Sequence, residues 1–351
     1  MKALQNLERI VVSHDMLQLL LSLYESKGKS FYYNDLFSRD LQAFEKNATE
    51  QDVYFLAKVL DLKLTDARMK LLAKKNLVAK NKEETEFNNL KQALTQLHKA
   101  PSAFELLVNE VINLSKILSK NLTPIHFKTY EVKEDSILTK SRRINKREDL
   151  EKLFNLYEKQ LKSRKYELTQ LIANFYVDFL NMDVFTDKNE EIGLILLFAL
   201  LAQHFNAFSY VSFFAYFYPE IKAWKHAVIQ AGYHWEAGYA QTDSLSRMLI
   251  DLLNKVYLKI DEIAHEYMFE KELNKSDNIE NTILKLNELF SKEDIRKKHP
   301  NVSDTTIDRT LKRLKEENMI RPIGKGRSSK WQRIVKGNHK FTHEQLKLFN
   351  D

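Results

Sequence analysis

Four acidic side chains lie within a short central segment of the chain, at Asp183, Asp187, Glu190 and Glu191. Hard cations such as Mg²⁺ take several carboxylate ligands, so one hypothesis is a metal site with Asp187 as its first candidate ligand. A second interpretation is that these acids occupy the N-terminus of a helix, where the helix dipole stabilises negative charge. The apolar run at residues 192–202 predicts the helix that the second interpretation requires.

A second group of side chains that can do chemistry is basic and lies near the C-terminus. From residue 274 onward the chain has 18 Lys and Arg against 11 Asp and Glu, which accounts for the whole net charge of +7. Such an excess can neutralise DNA phosphates. Arg309 is the candidate for reading a guanine base, and Lys325, Arg327 and Lys330 suit phosphate contacts. The side chains predicted to face DNA are Thr305, Thr306, Arg309, Lys312, Arg313, Lys325, Arg327 and Lys330.

The pattern around these basic residues predicts a winged helix-turn-helix. Three short helices are expected, with Ser291 and Ser303 as the N-caps of the second and third. Two strands, at residues 320–323 and 331–335, flank a basic, glycine-containing tip and form the wing. A protein-binding or dimerising role is the alternative to DNA binding. Asp304 and Asp308 are expected to limit DNA affinity, because they place negative charge near the phosphates. The apolar positions of the three helices are Ile279, Ile283, Leu286, Leu289, Ile295, Ile307, Leu311 and Leu314.

Composition limits the class of protein. Hydrophobic residues make up 44% of the 351 positions, and only seven Gly and five Pro are present, so we expect a mainly α protein. The absence of cysteine excludes disulfides, thiolate nucleophiles and Cys-ligated zinc. No apolar run is long enough to cross a bilayer and no signal peptide is evident, so we expect a cytoplasmic, bacterial protein with no membrane partner.

The rest of the chain divides into a helical region at residues 1–100 and a second domain at 101–273, followed by the basic domain at 274–351. Residues 52–77 resemble a helix-turn-helix with Thr65 as a cap, although packed structural helices are the commoner outcome. The charged run at 80–86 predicts a break between helices. We expect a helix over 101–118 capped by Ser102, a β-hairpin within 125–144, and helices again from residue 147 onward. The aromatic residues of 208–218 favour core packing over base stacking.

The central acidic segment, DVFTDKNEEIGL at residues 183–194, resembles the motif of the Fic (filamentation induced by cAMP) family. That motif reads His-x-Phe-x-Asp/Glu-Gly-Asn-Gly-Arg-x-x-Arg. Phe185, Asp187 and Asn189 match it, and Gly193 fits its Arg-x-Gly-Arg form. The following region is also similar to the family, with Tyr210-Val211-Ser212, Trp224-Lys225-His226 and Trp235-Glu236-Ala237-Gly238 in the expected order. The resemblance covers roughly residues 101–335, and it identifies the predicted hairpin with the family's flap.

The resemblance implies transfer of AMP from ATP to a protein hydroxyl. The motif His acts as the base, the acidic residue binds Mg²⁺, and the glycine turn and the arginines hold phosphate. Here the base position is Asp183, Lys188 and Glu190 replace the glycines, and Glu191 and Leu194 replace the arginines. We therefore expect a loop without the freedom for positive φ and an ATP site that is lost. No cofactor is expected, and Mg²⁺ and ATP would bind only if the site still functions.

Three functions follow from these features. The leading hypothesis is a Fic-like body that no longer transfers AMP, joined to a DNA-binding winged helix and acting as a transcription regulator. The second is an enzyme of altered chemistry in which Asp187 holds Mg²⁺ and Asp183 is the base. The third is a protein-binding module whose hairpin docks a target segment by strand addition. Dimerisation is a further expectation, by analogy with the family and with winged-helix regulators.

Overall fold

The computed structural model describes residues 2–9, 12–132, 142–272, 275–299, 302–323 and 330–334. The chain forms two compact units, Met1–Ile263 and Ala264–Asp351, which we call unit 1 and unit 2. Residues 1–100 and 101–263 therefore lie in the same unit, so the predicted boundary near residue 100 separates two parts of one compact body. The boundary between the units follows residue 263, ten residues before the predicted position at residue 273.

Unit 1 consists mainly of helices, as the composition predicted. They are α1 (His14–Gly28), α2 (Ser30–Leu36), α3 (Leu41–Val59), α4 (Asp66–Lys74), α5 (Lys82–Lys99), α6 (Val108–Leu118), α7 (Arg147–Ser163), α8 (Leu168–Met182), α9 (Asn189–His204), α10 (Phe213–Phe217), α11 (Ile221–Gly232) and α12 (Asp243–Glu272). The unit boundary lies within α12. Short 3₁₀ turns are found at Leu7–Arg9, Pro101–Ala103, Asn206–Ser209 and Tyr218–Glu220.

Side-chain caps explain where several of these helices begin. The Thr65 hydroxyl accepts a hydrogen bond from the Arg68 amide at the start of α4, as the sequence predicted. Asn81 caps α5 in the same way through the Glu84 amide. The predicted break between helices is present at residues 75–81, but the rest of the charged run at 80–86 forms the first turn of α5, where its acids suit the helix N-terminus.

Two predicted helices differ from the structure. The expected helix over 101–118 begins only at Val108, and Ser102 lies instead in a 3₁₀ turn that starts at Pro101. The aromatic stretch 208–218 is split into a 3₁₀ turn, the short helix α10 and a second turn. Phe208, Phe213 and Phe217 are each no more than 2% exposed, so core packing determines this segment more than helical periodicity does.

A small antiparallel hairpin interrupts the helices of unit 1. Strand β1 (Thr129–Val132) pairs with β2 (Arg142–Asn145), with Thr129 opposite Asn145 and Val132 opposite Arg142. The predicted hairpin on a helical body is therefore confirmed, and its tip at residues 133–141 lies outside the described residues.

The core of unit 1 is built around α9. Every residue from Glu191 to Ala202 is buried, so this helix is enclosed on all sides. Gly193 allows the close approach of α8, because a Cβ there would lie 3.1 Å from Leu180 and 3.3 Å from both Phe179 and Tyr176. The predicted apolar helix thus occupies the centre of the unit.

A buried polar network joins the N-terminal helices to this core. Asp52 on α3 is fully buried, and its carboxylate accepts hydrogen bonds from the Ser212 hydroxyl and the Phe214 amide, each at 2.7 Å. The His98 ring on α5 lies 2.9 Å from the other Asp52 oxygen. One carboxylate therefore connects α3, α5 and the start of α10.

Among its described residues, unit 2 has three short helices after α12 and a three-stranded sheet. Its elements after α12 are α13 (Lys275–Lys285), β3 (Leu289–Ser291), α14 (Lys292–Lys298), α15 (Asp304–Glu316), β4 (Ile320–Ile323) and β5 (Lys330–Arg333). The strand order is β3-β5-β4, with both pairs antiparallel. Ser291 and Asp294 form a capping box on α14, and Ser303 caps α15.

The core of unit 2 follows the predicted apolar pattern with one exception. It contains Ile279, Ile283, Phe290, Ile295, Ile307, Leu311, Leu314 and Ile320, with Trp331 packed against it. Leu289 was expected on the face of the first helix, but it lies in β3 and is 52% exposed. The helix ends at Lys285, and the alternation of a strand then buries Phe290 instead of Leu289.

Candidate functional site

The residues of the predicted motif form one loop between two packed helices. α8 ends at Met182, and Asp183 follows in the left-handed region with φ 46°. Val184 and Phe185 then enter the core, where each is no more than 1% exposed. The chain returns to the surface at Thr186 and Asp187 before α9 begins at Asn189, so the two buried side chains hold the first half of the loop.

The base of the hairpin is joined to this loop by backbone pairing. Phe127 forms an antiparallel bridge with Phe185, and their rings lie 4.7 Å apart. The Lys128 amide donates to the Val184 carbonyl at 2.9 Å, and the Thr186 amide donates to the His126 carbonyl at 2.8 Å. The hairpin is therefore positioned against the motif loop, which the sequence indicated only through the family resemblance.

The Asn189 side chain stabilises the loop through hydrogen bonds to other residues of the loop. Its side-chain oxygen accepts from the Phe185 amide at 2.9 Å, and its side-chain nitrogen donates to the Phe185 carbonyl at 2.7 Å. The same nitrogen lies 2.9 Å from a carboxylate oxygen of Asp183. Phe185 and Asn189, two of the residues predicted to match the motif, thus form one hydrogen-bonded unit that closes the turn before α9.

Lys188 adopts a left-handed backbone conformation, contrary to the prediction that loss of glycine removes the positive-φ turn. Its φ of 60° and ψ of 26° lie in the left-handed region, so loss of glycine at this position has not removed the positive-φ turn. The Lys188 ammonium group lies 2.7 Å from Glu191 and 3.4 Å from Glu86. Two carboxylates next to this ammonium group supply attractions that help to hold the backbone in a conformation rare for residues with a Cβ.

Burial and charge act together on this cluster. Burial lowers the pKa of Lys188, but the attraction of Glu191 and Glu86 outweighs it, and the net shift is upward. Burial raises the pKa of Glu191 and outweighs the attraction of Lys188, and the nearby negative charges of Glu86 and Asp187 add to the rise. The Lys188 ammonium group is therefore held in its charged form, in a cluster that carries an excess of negative charge.

The remaining acids of the segment have separate partners. Asp183 contacts the Lys128 ammonium group, and Glu190 pairs with Lys225 at 2.9 Å. Asp187 is exposed, and its carboxylate accepts from the Lys188 amide at 2.8 Å. Within the described residues, no group of three or more His, Asp or Glu side chains is arranged to hold a metal ion.

The sequence did not indicate that Glu86 is a partner of Lys188 or that Lys128 is a partner of Asp183. Glu86 is 102 positions before Lys188 along the chain, and Lys128 is 55 positions before Asp183. The charged run at 80–86 and the alternation around residue 128 were visible in the sequence, but neither pattern indicated which residue each side chain meets. Their contacts depend on the packing of α5 and the hairpin against the loop.

Two further segments that matched the family order contact the rest of unit 1. The Trp235 indole donates to the buried Asp178 carboxylate at 2.6 Å, and the Ala3 and Leu4 amides donate to the same group at 2.9 and 3.0 Å. Ser212 is one of the Asp52 partners described above. Both segments therefore anchor the N-terminal part of the chain to the core.

The basic candidates of unit 2 lie mainly on one side of α15. Ile307, Leu311 and Leu314 face the core, each 1% exposed, while Thr305, Arg309 and Lys312 are exposed. Thr306 is half-buried, with its hydroxyl 2.9 Å from that of Ser303. Lys330 is exposed in β5, and Lys325 and Arg327 lie outside the described residues.

Arg313 differs from the other candidates because its guanidinium is tied into unit 2 itself. It lies 2.5 Å from Glu280 on α13 and 3.4 Å from Glu317. By contrast, no carboxylate in the described part of the chain lies within ion-pair distance of Arg309.

The acids beside this face are paired with bases of the preceding helix. Asp304 lies 2.7 Å from Arg296, and Asp308 contacts Lys292. Their negative charge is therefore partly compensated at the surface.

The fold is similar to those of solved Fic proteins. The crystal structure of a Fic family protein from Desulfovibrio desulfuricans G20 superposes with a TM-score of 0.59 at 12% sequence identity, over 94% of this chain and 99% of that chain. A Fic domain containing signaling protein from Bacteroides thetaiotaomicron VPI-5482 gives a TM-score of 0.54 at 13% identity, over 70% of this chain and 98% of that chain. At these identities the similarity establishes a Fic-like helical fold.

No family model matches the sequence, and no curated protein matches it. In the part of the chain that the structure describes, no helix is both long and apolar enough to cross a membrane.

Proposed function

We propose that this protein is a Fic-fold regulator that does not transfer AMP and that binds DNA through a C-terminal winged helix in unit 2. The observation that carries the proposal is the division of charge between two helix surfaces. The N-terminus of α9, where the family motif meets phosphate, carries Glu190 and Glu191. The outer side of α15 carries Arg309 and Lys312.

Loss of AMP transfer is supported by the charges at the motif loop. A phosphate at the start of α9 would meet two carboxylates in the first turn, and the Lys188 ammonium group that could attract it already lies beside Glu191 and Glu86. Asp187 is a single exposed carboxylate, whereas Mg²⁺ with ATP needs positive charge around the phosphates as well. The residues present therefore do not fit Mg²⁺ and ATP.

The base position supports the same conclusion. An aspartate carboxylate is a weak base toward a protein hydroxyl, and that of Asp183 is already engaged by Lys128 and Asn189. Incubation of the full chain with Mg²⁺ and ATP labelled in the α-phosphate tests this part of the proposal. We expect no label on the chain and no rise in its melting temperature. Labelling of the chain, or a higher melting temperature with ATP, would overturn the loss of the site, since a bound ligand stabilises the native state.

DNA binding is supported by the architecture of unit 2. Two helices, α14 and α15, precede a β4–β5 hairpin, and α15 has an apolar inner side and a polar outer side as a recognition helix requires. Arg309 has no ion-pair partner in the described part of the chain and can form bidentate hydrogen bonds with a guanine. Pairing of Asp304 and Asp308 with bases of α14 reduces the repulsion that these acids would exert on phosphate.

A titration of labelled duplex DNA with the full chain tests this part. We expect R309A/K312A to weaken binding, because both substitutions remove cations from the outer side of α15. R39A/K222A is the matched control: it removes the same charge from exposed positions of unit 1 and should leave affinity unchanged. Equal affinity of wild type and R309A/K312A would favour the alternative in which unit 2 contacts another protein.

A further inference from the structure

A long polar trough lies along one side of α5 in unit 1, and we call it the α5 trough. It consists of two adjoining cavities of about 430 and 530 Å³, which share Asn76, Lys91, Thr95 and Lys99 in their walls. The first cavity lies between α3, α4 and α5, and the second lies between the end of α4 and α5. None of the described residues that line the trough belongs to the motif loop or the hairpin.

The walls of the α5 trough carry an excess of positive charge. Its lysines are Lys46, Lys74, Lys91 and Lys99, whereas Glu45 and Glu50 are the acids among the described residues that line it. Lys46, Lys74 and Lys99 are exposed. In the described part of the chain no carboxylate lies within ion-pair distance of Lys74 or Lys99, and Lys46 is 4.0 Å from Glu50. These cations are therefore accessible to anionic groups of a ligand.

The Lys91 ammonium group is fixed in position. It donates to the Leu72 carbonyl at 2.8 Å and to the Lys75 carbonyl at 3.1 Å, both at the end of α4. An ammonium group has three N–H donors, so one remains for a ligand. Burial lowers the pKa of Lys91, and the charge of Lys46 acts in the same direction against the attraction of Glu50. Lys46 and Lys91 therefore lie near each other at one part of the trough.

The spacing of residues along α5 suits an extended chain. Lys91, Thr95 and Lys99 recur every four residues on one side of the helix, and the helical rise separates Lys91 from Lys99 by about 12 Å along the axis. An extended peptide advances about 13 Å in four residues, and its side chains at i and i+4 point to the same face. Two acidic side chains four positions apart on such a peptide match these two lysines.

Uncharged polar side chains lie beside the cations. Gln42, Asn76, Gln92 and Gln96 are exposed in the trough. Each side-chain amide offers both donors and an acceptor, as the backbone of a peptide does. A phosphate polymer offers acceptors almost alone, so the acceptors of these amides would have no partner in it. The amides therefore favour a peptide over a phosphate polymer.

Two further features favour a peptide of moderate charge. Val78 lines the second cavity and is 89% exposed, so it can contact an apolar side chain that an inorganic anion lacks. Glu45 and Glu50 repel a densely charged polyanion from the first cavity.

We propose that the α5 trough binds an extended acidic segment of a partner protein. One carboxylate lies at Lys46 and Lys91, a second carboxylate four residues along the segment lies at Lys99, and the amides of the trough pair with the segment's backbone. The proposal depends neither on DNA binding by unit 2 nor on the chemistry of the motif loop.

Fluorescence anisotropy of a labelled synthetic peptide, titrated with the full chain, tests the proposal. The peptide has two glutamates four positions apart, a valine between them and serine or threonine elsewhere. We expect saturable binding, and a peptide with glutamine at both positions should bind much more weakly because it lacks the charges. A peptide with its glutamates three positions apart should also bind more weakly, since they would lie on opposite faces of an extended chain.

K46M/K99M should weaken binding of the glutamate peptide about 10-fold, because it removes two exposed cations while keeping their aliphatic stems. K165M/K222M is the matched control: it removes two exposed lysines from other parts of unit 1 and should leave binding unchanged. K46E/K99E with a peptide that has lysine at both positions should restore part of the lost binding, which a purely structural role of these lysines would not produce.

Three results would overturn the proposal. The first is absence of saturable binding by the glutamate peptide, and the second is equal binding by the glutamine peptide or by K46M/K99M. The third is tighter binding of inorganic polyphosphate that is lost in K46M/K99M, which would identify the trough as a phosphate site.

Discussion

The Lys188 ammonium group lies 2.7 Å from the Glu191 carboxylate on the first turn of α9. An ion pair within the chain therefore closes the turn before α9. Glu86, 3.4 Å from the same ammonium group, extends the contact to α5.

Lys188→Met should destabilise the protein by leaving two carboxylates uncompensated. We expect a loss of about 2 kcal/mol in the free energy of unfolding at pH 7, below the cost for a fully buried pair because Glu86 is 22% exposed. The pKa of Glu191 would then rise further in the folded state, which would bind more protons than the unfolded state. The loss should therefore shrink as the pH falls toward 4.5.

Urea denaturation at pH 5 and pH 7 measures this effect. Lys225→Met is a matched control, because it breaks the pair with Glu190, in which both side chains are 50% exposed. We expect that control to cost less than about 0.5 kcal/mol at either pH. Equal stabilities for the two variants would show that the Lys188 cluster does not hold the loop.

Asn189→Ala should loosen the motif loop. It removes the partners of both the Phe185 amide and the Phe185 carbonyl, so we expect a loss of about 2 kcal/mol. The local readout is hydrogen exchange of the Phe185 amide, which should become faster than in the wild type. Unchanged exchange at Phe185 would mean that backbone pairing with Phe127 is sufficient to hold the loop.

Asp52→Asn should be among the more damaging single substitutions in unit 1. The carboxylate is fully buried and serves Ser212, Phe214 and His98, so we expect a loss of about 3 kcal/mol. Ser212→Ala removes one of these partners and should cost about 1 kcal/mol. A double-mutant cycle measured by chemical denaturation should show strong coupling, and additive losses would contradict a shared network.

His204 gives the protein a pH dependence of defined sign. Its pKa is below the ordinary 6.5 because of burial and of the nearby charge of Lys27. The unfolded state therefore binds more protons, and this contribution to stability is complete above pH 6.5 and decreases as the pH falls. We expect Lys27→Met to raise the His204 pKa, measured by NMR. A fall in that pKa would contradict the electrostatic account.

Features encoded within a few residues could be predicted from the sequence. The caps at Thr65, Ser291 and Ser303 are local, because each hydroxyl meets an amide three positions ahead. The apolar run of α9 and the alternation around β1 likewise depend only on neighbouring residue types. These patterns were sufficient for the fold class, a mainly helical protein with a small hairpin.

Contacts between distant segments could not be predicted in the same way. Nothing near Lys188 indicates Glu86, since the packing of α5 brings them together. The positive φ of Lys188 was misjudged for the same reason, because the two carboxylates beside its side chain were unknown. In unit 2, Arg313 was grouped with the DNA-facing cations, although Glu280 on α13 lies beside its guanidinium.

The salt dependence of DNA binding by the full chain tests the central claim most directly. If unit 2 meets DNA through Lys325, Arg327 and Lys330, the logarithm of the binding constant should fall linearly with the logarithm of salt concentration, with a slope of about −3. The R309A variant should bind more weakly at every salt concentration but keep nearly the same slope, because Arg309 is assigned to a base. Binding that ignores salt, or that R309A leaves unchanged, would contradict the account.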